Sequence, residues 1–179
     1  CGLWVNVGGL MSTLELKELS HPSGEVIKIA SGKTLDLNSQ GTTKMPAGSV
    51  IQVKKFQSAS TGSGTSTVTS MADDGVQVAI TPKYANSLLF VSCTSGCSVS
   101  GGYAYFRILE NVSSTVVQAA PWGNFSGSPQ QLGSFTITGW YSPPDTSTRT
   151  FKLQGYTTAG TRYLNYSVYP NITVMEIAQ

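Results

Sequence analysis

A chain of 179 residues can bury one substantial core and falls short of two full domains. Its 11 Lys and Arg against 9 Asp and Glu leave a formal charge of +2, and the densest basic cluster is the pair Lys54-Lys55. Strong nucleic-acid binding is excluded, because neutralising phosphates needs a concentrated basic face.

Charged residues are only 11% of the chain, so solubility rests on hydroxyls, amides and glycine. That composition suits a surface facing other protein copies, sugars or the exterior, and it argues against intrinsic disorder. No apolar run approaches the ~18 to 20 residues that span a bilayer, so membrane insertion is not expected. Cys1 to Leu10 is apolar but lacks the basic start and cleavage pattern of a secretory signal. Met11-Ser12-Thr13-Leu14 reads as a translation start, which leaves residues 1–10 as an upstream extension or a tail packed on a neighbour.

Between Met11 and Ser20, Leu14 and Leu16 alternate as in a strand, whereas Leu16 and Leu19 also fit a helical turn. This stretch is expected to be a short attachment arm. His21-Pro22-Ser23-Gly24 ends it, since the residue before proline avoids the helical region. Glu25 to Ala30 and Thr34 to Leu37 read as two short strands joined by a Ser31-Gly32-Lys33 turn. They form either a stem completed by other copies of the chain or a hairpin folded on the rest. Pro46-Ala47-Gly48-Ser49 marks a joint, giving residues 1–45 as arm and short β stem and residues 46–179 as head.

The head is dense in strand signals. Val50 to Phe56, Val76 to Ile80, Tyr103 to Leu109, Thr115 to Ala119, Phe135 to Tyr141, Phe151 to Gly155, Tyr163 to Tyr169 and Ile172 to Ile177 all read as strands, several with clean alternation. Leu88 to Cys93 is a nearly continuous apolar run, expected to be buried on both faces. Ser58 to Thr65 reads as a loop, Thr67 to Met71 as a weak strand, and Asp73-Asp74-Gly75 and Pro143-Pro144-Asp145 as turns. Eight to ten short strands without a helical period predict an all-β head, an antiparallel β-sandwich or jelly roll.

Several phrases, in order, carry a family resemblance: Met11-Ser12-Thr13-Leu14, Pro46-Ala47-Gly48-Ser49-Val50-Ile51-Gln52-Val53, Ile80-Thr81-Pro82 before Ser87-Leu88-Leu89-Phe90-Val91, and Ile172 to Ala178. Together they resemble virion fibre and appendage proteins of tailed bacteriophages, especially marine ones. The resemblance implies an N-terminal arm that attaches to the particle and a β-rich domain that faces outward. Residues 1–10 and the pair Cys93 and Cys97 fall outside the pattern.

The side chains offer little for catalysis. The one histidine, His21, sits in a linker with no acidic cluster near it. Asp73, Asp74, Glu110, Asp145 and Glu176 are the carboxylates from which a glycosidase pair would be drawn, but the Asp-Gly and Pro-Asp contexts fit turn chemistry without further help. No enzyme activity, metal or cofactor is expected. Cys93-Thr94-Ser95-Gly96-Cys97 allows either a disulfide across a Thr94-Ser95-Gly96 turn or two free thiols. Trp122 and Phe125, assigned to a loop between Pro121 and Pro129, and Tyr141 are the candidate ligand-binding aromatics, because Tyr and Trp suit both sugar stacking and protein interfaces. Phe106, Phe135, Phe151 and Trp140 are expected in the core.

The resemblance implies a virion structural protein, a fibre or appendage assembled in the host cytoplasm that contacts capsid, portal or tail proteins, and the low charge with the isolated Glu25-to-Leu37 strands leads us to expect a homotrimer. A host-surface glycan is its candidate ligand. A capsid or tail decoration protein that binds only neighbouring subunits is the alternative.

Overall fold

The computed structural model describes residues 31–32, 45–58, 64–66, 70–125, 131–164 and 168–179. Leu14, Leu16 and Leu19 and the two expected stem strands lie outside the described residues, save for Ser31 and Gly32, which form a turn. The chain divides into two compact units, Cys1–Thr43 and Lys44–Gln179. Every described strand lies in the second.

Ten strands run in order: β1 (Val50–Gln57), β2 (Gly64–Ser66), β3 (Ala72–Ile80), β4 (Leu88–Val99), β5 (Gly102–Glu110), β6 (Thr115–Phe125), β7 (Gln131–Tyr141), β8 (Arg149–Thr157), β9 (Arg162–Leu164) and β10 (Asn171–Ile177). They form two antiparallel sheets. In the first, β10 pairs with β1 on one side and with Leu88–Thr94 of β4 on the other, while β9 pairs with β2 and with Cys97–Val99 of β4. β7 covers the far side of β4. The second sheet has the order β3-β8-β5-β6.

Because β1 and β2 lie in line, as do β9 and β10, each couple acts as one interrupted strand. Of the eight strands that remain, the first pairs with the last, the second with the seventh, the third with the sixth and the fourth with the fifth. This is one long antiparallel ribbon rolled until its halves face each other, the jelly-roll path. The all-β sandwich expected for the head is the observed fold.

Alternation decides which side chains meet between the sheets. Leu89, Val91 and Cys93 of β4, Ile172 and Val174 of β10, Phe106 and Ile108 of β5, and Phe151 and Leu153 of β8 are all buried in the shared core. Phe106 and Phe135 stack across the two sheets with ring centroids 4.2 Å apart. Burying such side chains contributes about 1.5–3 kcal/mol each relative to exposure.

Several local expectations are corrected. Thr94-Ser95-Gly96 is not a turn but the middle of β4, fully hydrogen-bonded to β7 through Thr94↔Thr136 and Gly96↔Ser134. Cys93 and Cys97 are therefore four residues apart on an extended strand, a span of roughly 13 Å, far beyond disulfide reach; both are free and buried. Trp122 and Phe125 belong to β6, opposite Ala104 and Gly102 of β5, and not to a loop. Gly64 and Thr65, at the end of the stretch read as a loop, belong to β2; of the weak strand expected over Thr67 to Met71, residues 67–69 lie outside the described residues, and Ser70 and Met71 are not in a strand.

Asp73-Asp74-Gly75, read as a turn, is a bulge within β3. Four steps along β3, from Asp73 to Gln77, face two along β8, from Gln154 to Lys152, and Gly75 takes φ 73°, where a side chain would be strained. The bulge turns Asp74 inward. Its carboxylate meets Arg162 of β9 at 2.7 Å, both side chains being almost fully buried. Arg162 also donates to the Gly155 carbonyl at 3.1 Å and lies over the Phe106 ring at 5.3 Å. This strut ties the two sheets together, and a Cβ on Gly155 would collide with the guanidinium.

Candidate functional site

The expected carboxylate candidates are all engaged locally. Asp73 accepts from Gln154 at 2.6 Å and Lys152 at 2.9 Å, and Asp74 holds Arg162. Asp145 caps its own turn through Ser147 N–H at 2.8 Å and pairs with Arg149 at 2.6 Å. Glu176 is buried and accepts from Gln52 Nε2 at 2.6 Å, the Lys83 N–H at 2.8 Å and the Tyr84 N–H at 3.2 Å, so it fastens the β3–β4 connection to β10. Glu110 closes the β5–β6 turn, accepting from the Val112 and Ser113 N–H groups at 2.8 and 2.7 Å and from the Ser113 hydroxyl. Burial pushes its carboxyl up, yet these hydrogen bonds outweigh it and hold the group below its ordinary value. Among the described residues no group of three or more His, Cys, Asp or Glu side chains converges as a metal site.

The three aromatics singled out for ligand binding do not form one site. Tyr141 turns inward at the rim of the core, its ring edge-on to Phe151 at 5.6 Å and its hydroxyl donating to Glu110 at 3.4 Å. Tyr141 is half-buried there. Trp122 and Phe125 occupy backbone positions on β6, an edge strand of the second sheet.

The surfaces on offer are instead the outer faces of the two sheets. On the first, register places Val53 of β1, Met175 of β10, Phe90 of β4 and Trp140 of β7 side by side in one row across all four strands. Trp140, expected in the core, is 55% exposed, and Val53 is 52% exposed. Trp140 leans on Phe90 with centroids 4.7 Å apart, leaving its far side open. Val50, Ile177 and Leu88 extend the apolar surface by one row. In the other direction the rows become Lys55, Thr173, Ser92 and Thr138, then Gln57, Asn171, Thr94 and Thr136. The face thus passes from apolar to hydroxyl and amide, with Lys55 its lone charge in these rows.

On the second sheet's outer face, Tyr105 of β5 and Tyr156 of β8 stack at 4.9 Å, and Tyr103 stands 6.3 Å from Tyr105. The next row carries Arg107, Gln154 and Asp73 in line. The signal for both faces was present in the sequence as alternation, since residues two apart share a face. Which strands lie side by side was not.

No family model and no curated protein matches the chain. Among solved structures it is similar to the VP2 protein of infectious bursal disease virus in its subviral particle, with a TM-score of 0.43 and 11% identity over 81% of this chain and 37% of that one. It is also similar to the structure of the Gt strain of infectious bursal disease virus, with a TM-score of 0.37 and 14% identity over 80% of this chain and 36% of that one. The chain spans little more than a third of the length of these structures.

Proposed function

We propose that the chain is a non-enzymatic structural protein of a virion, the head of a fibre or appendage that packs against further copies of itself, most simply as a trimer. The observation that carries this reading is the unbroken apolar row Val53, Met175, Phe90 and Trp140 on the outer face of the first sheet. An exposed row of that kind, bordered by small polar side chains, has the anatomy of a protein interface: an apolar centre with a polar rim. The ordered phrases shared with phage appendage proteins support the virion setting. The joint supports a carried head, because the Gly48 N–H donates to the Ala178 carbonyl at 2.8 Å and so fixes the start of the head beside the end of β10.

The test is light scattering on the full chain and on Trp140→Lys. The wild type is expected as an oligomer, and the variant as a folded chain of lower mass with at least a ~tenfold weaker association, the scale of an aromatic hot spot. A stable wild-type monomer overturns the self-assembly. Antibodies raised against residues 46–179 are expected to decorate intact particles, and their failure to do so removes the virion setting.

A further inference from the structure

We propose that the outer face of the second sheet is a binding site for an anionic saccharide, with Arg107 taking the sugar carboxylate and Tyr103, Tyr105 and Tyr156 packing on the adjoining rings. The proposal rests on the outward-facing head of the proposed function. It concerns the face opposite the apolar row.

The geometry starts from Arg107. Its Nε donates to Gln154 Oε1 at 2.8 Å, which fixes the plane of the guanidinium, and its two terminal nitrogens have no partner among the described residues. A guanidinium held by one edge with its other edge open is a fork for a carboxylate, which it meets with two parallel hydrogen bonds. The neighbouring negative charge is not paired with it among the described residues: Asp73 holds Lys152 and the Gln154 amide instead.

Beside the fork stand the three tyrosines. Tyr105 and Tyr156 are neighbours across β5 and β8, one step along the same face from Arg107 and Gln154. Their rings are 9° from parallel, and Tyr103, 41% exposed, continues the line. None of the three hydroxyls has a partner among the described residues. Tyr105 and Tyr156 each cover one face of the other, so the ring surface open to sugar C–H groups is that of Tyr103 and the outer side of the stacked pair, beside three hydroxyls that suit a polyol better than an aliphatic side chain.

The row is also held in place. The Tyr103 N–H donates to Thr158 Oγ1 at 2.8 Å, and the Thr158 N–H returns to the Tyr103 carbonyl at 2.9 Å. Beyond Gln154, the face ends in a shallow depression of about 130 Å³ lined by Asp73, Gln77 and Lys152 among others. An extended chain of sugars thus has a path from the tyrosines across the guanidinium toward this depression, where Lys152 is paired with Asp73.

The experiment is calorimetric titration of the full chain with a galacturonate tetramer and with the same tetramer after reduction of its carboxyls. The acid is expected to bind and the reduced sugar to lose at least ~tenfold, the discrimination of one charge-assisted pair. Arg107→Gln should reproduce that loss with its melting temperature unchanged. Tyr103→Ala, at the most exposed ring, should weaken the acid severalfold. Equal binding of the two sugars, an Arg107→Gln variant that binds like the wild type, or no binding of the acid at about 1 mM overturns the proposal. Light scattering on the same samples reads the assembly separately, so a face that binds no sugar on an intact oligomer refutes this inference alone.

Discussion

Single side chains here have roles that their sequence neighbours conceal. Asp145 reads as a turn former and is one, bonded to the Ser147 N–H. Asp74 reads the same way, yet it is an inward partner of Arg162, because a bulge cannot be told from a turn by Asp-Asp-Gly alone. Trp140 reads as core by size and lies outward, since Gly139 occupies the inward position beside it, where a Cβ would meet Val117 at 2.7 Å. Glu110 gives a pH-dependent prediction. Its carboxyl titrates lower in the folded chain than in the unfolded one, so its contribution is fully present above the ordinary carboxylate range and is lost as pH falls through the depressed value. Glu110→Gln should cost about 1–3 kcal/mol at neutral pH, and the gap to the wild type should narrow as pH falls below the ordinary carboxylate range. Chemical unfolding at several pH values measures it, and a gap independent of pH would remove the ionised form from the account. Asp74 runs the other way: burial raises its carboxyl despite Arg162, so its contribution weakens as pH rises through that raised value.

At the level of strands, the alternating segments were legible because burial on one face is written every second residue. Tyr103 to Leu109 and Phe151 to Gly155 are examples, with Phe106, Ile108, Phe151 and Leu153 inward as their spacing requires. Strand ends were less legible. β4 continues through Thr94-Ser95-Gly96 since β7 pairs with it without interruption from Leu89 to Val99, and that tertiary pairing overrides the turn preference of those residues. β6 accommodates Pro121 because it is an edge strand, where a missing N–H breaks no ladder to an outer neighbour. The length of β4 fixes the chemistry of its cysteines. Burial raises both the Cys93 and Cys97 thiols to about 12, leaving almost no thiolate at neutral pH. Neither should react with a thiol reagent in the folded chain, and both should do so in denaturant, read residue by residue by mass spectrometry. A native Cys93–Cys97 crosslink would contradict the strand itself.

For the molecule as a whole, the sequence announced a sandwich but not its path, since the pairings that define it join residues more than a hundred positions apart, as Val53 and Met175 are. The two candidate surfaces were hidden for the same reason: each is a row made by register across strands. Sheet order also concerns how the fold is reached. β10 lies between β1 and β4, so the first sheet has a gap at its centre until Asn171–Ile177 takes its place. A chain stopped at Pro170 is expected to show no cooperative thermal transition by circular dichroism, and a normal transition would mean that the remaining strands close on their own. During synthesis, β1 must therefore wait for nearly the whole head before it finds its partner. Until then Val50–Gln57 is an unpaired strand, and Lys54 and Lys55 are placed to discourage it from pairing with another nascent chain.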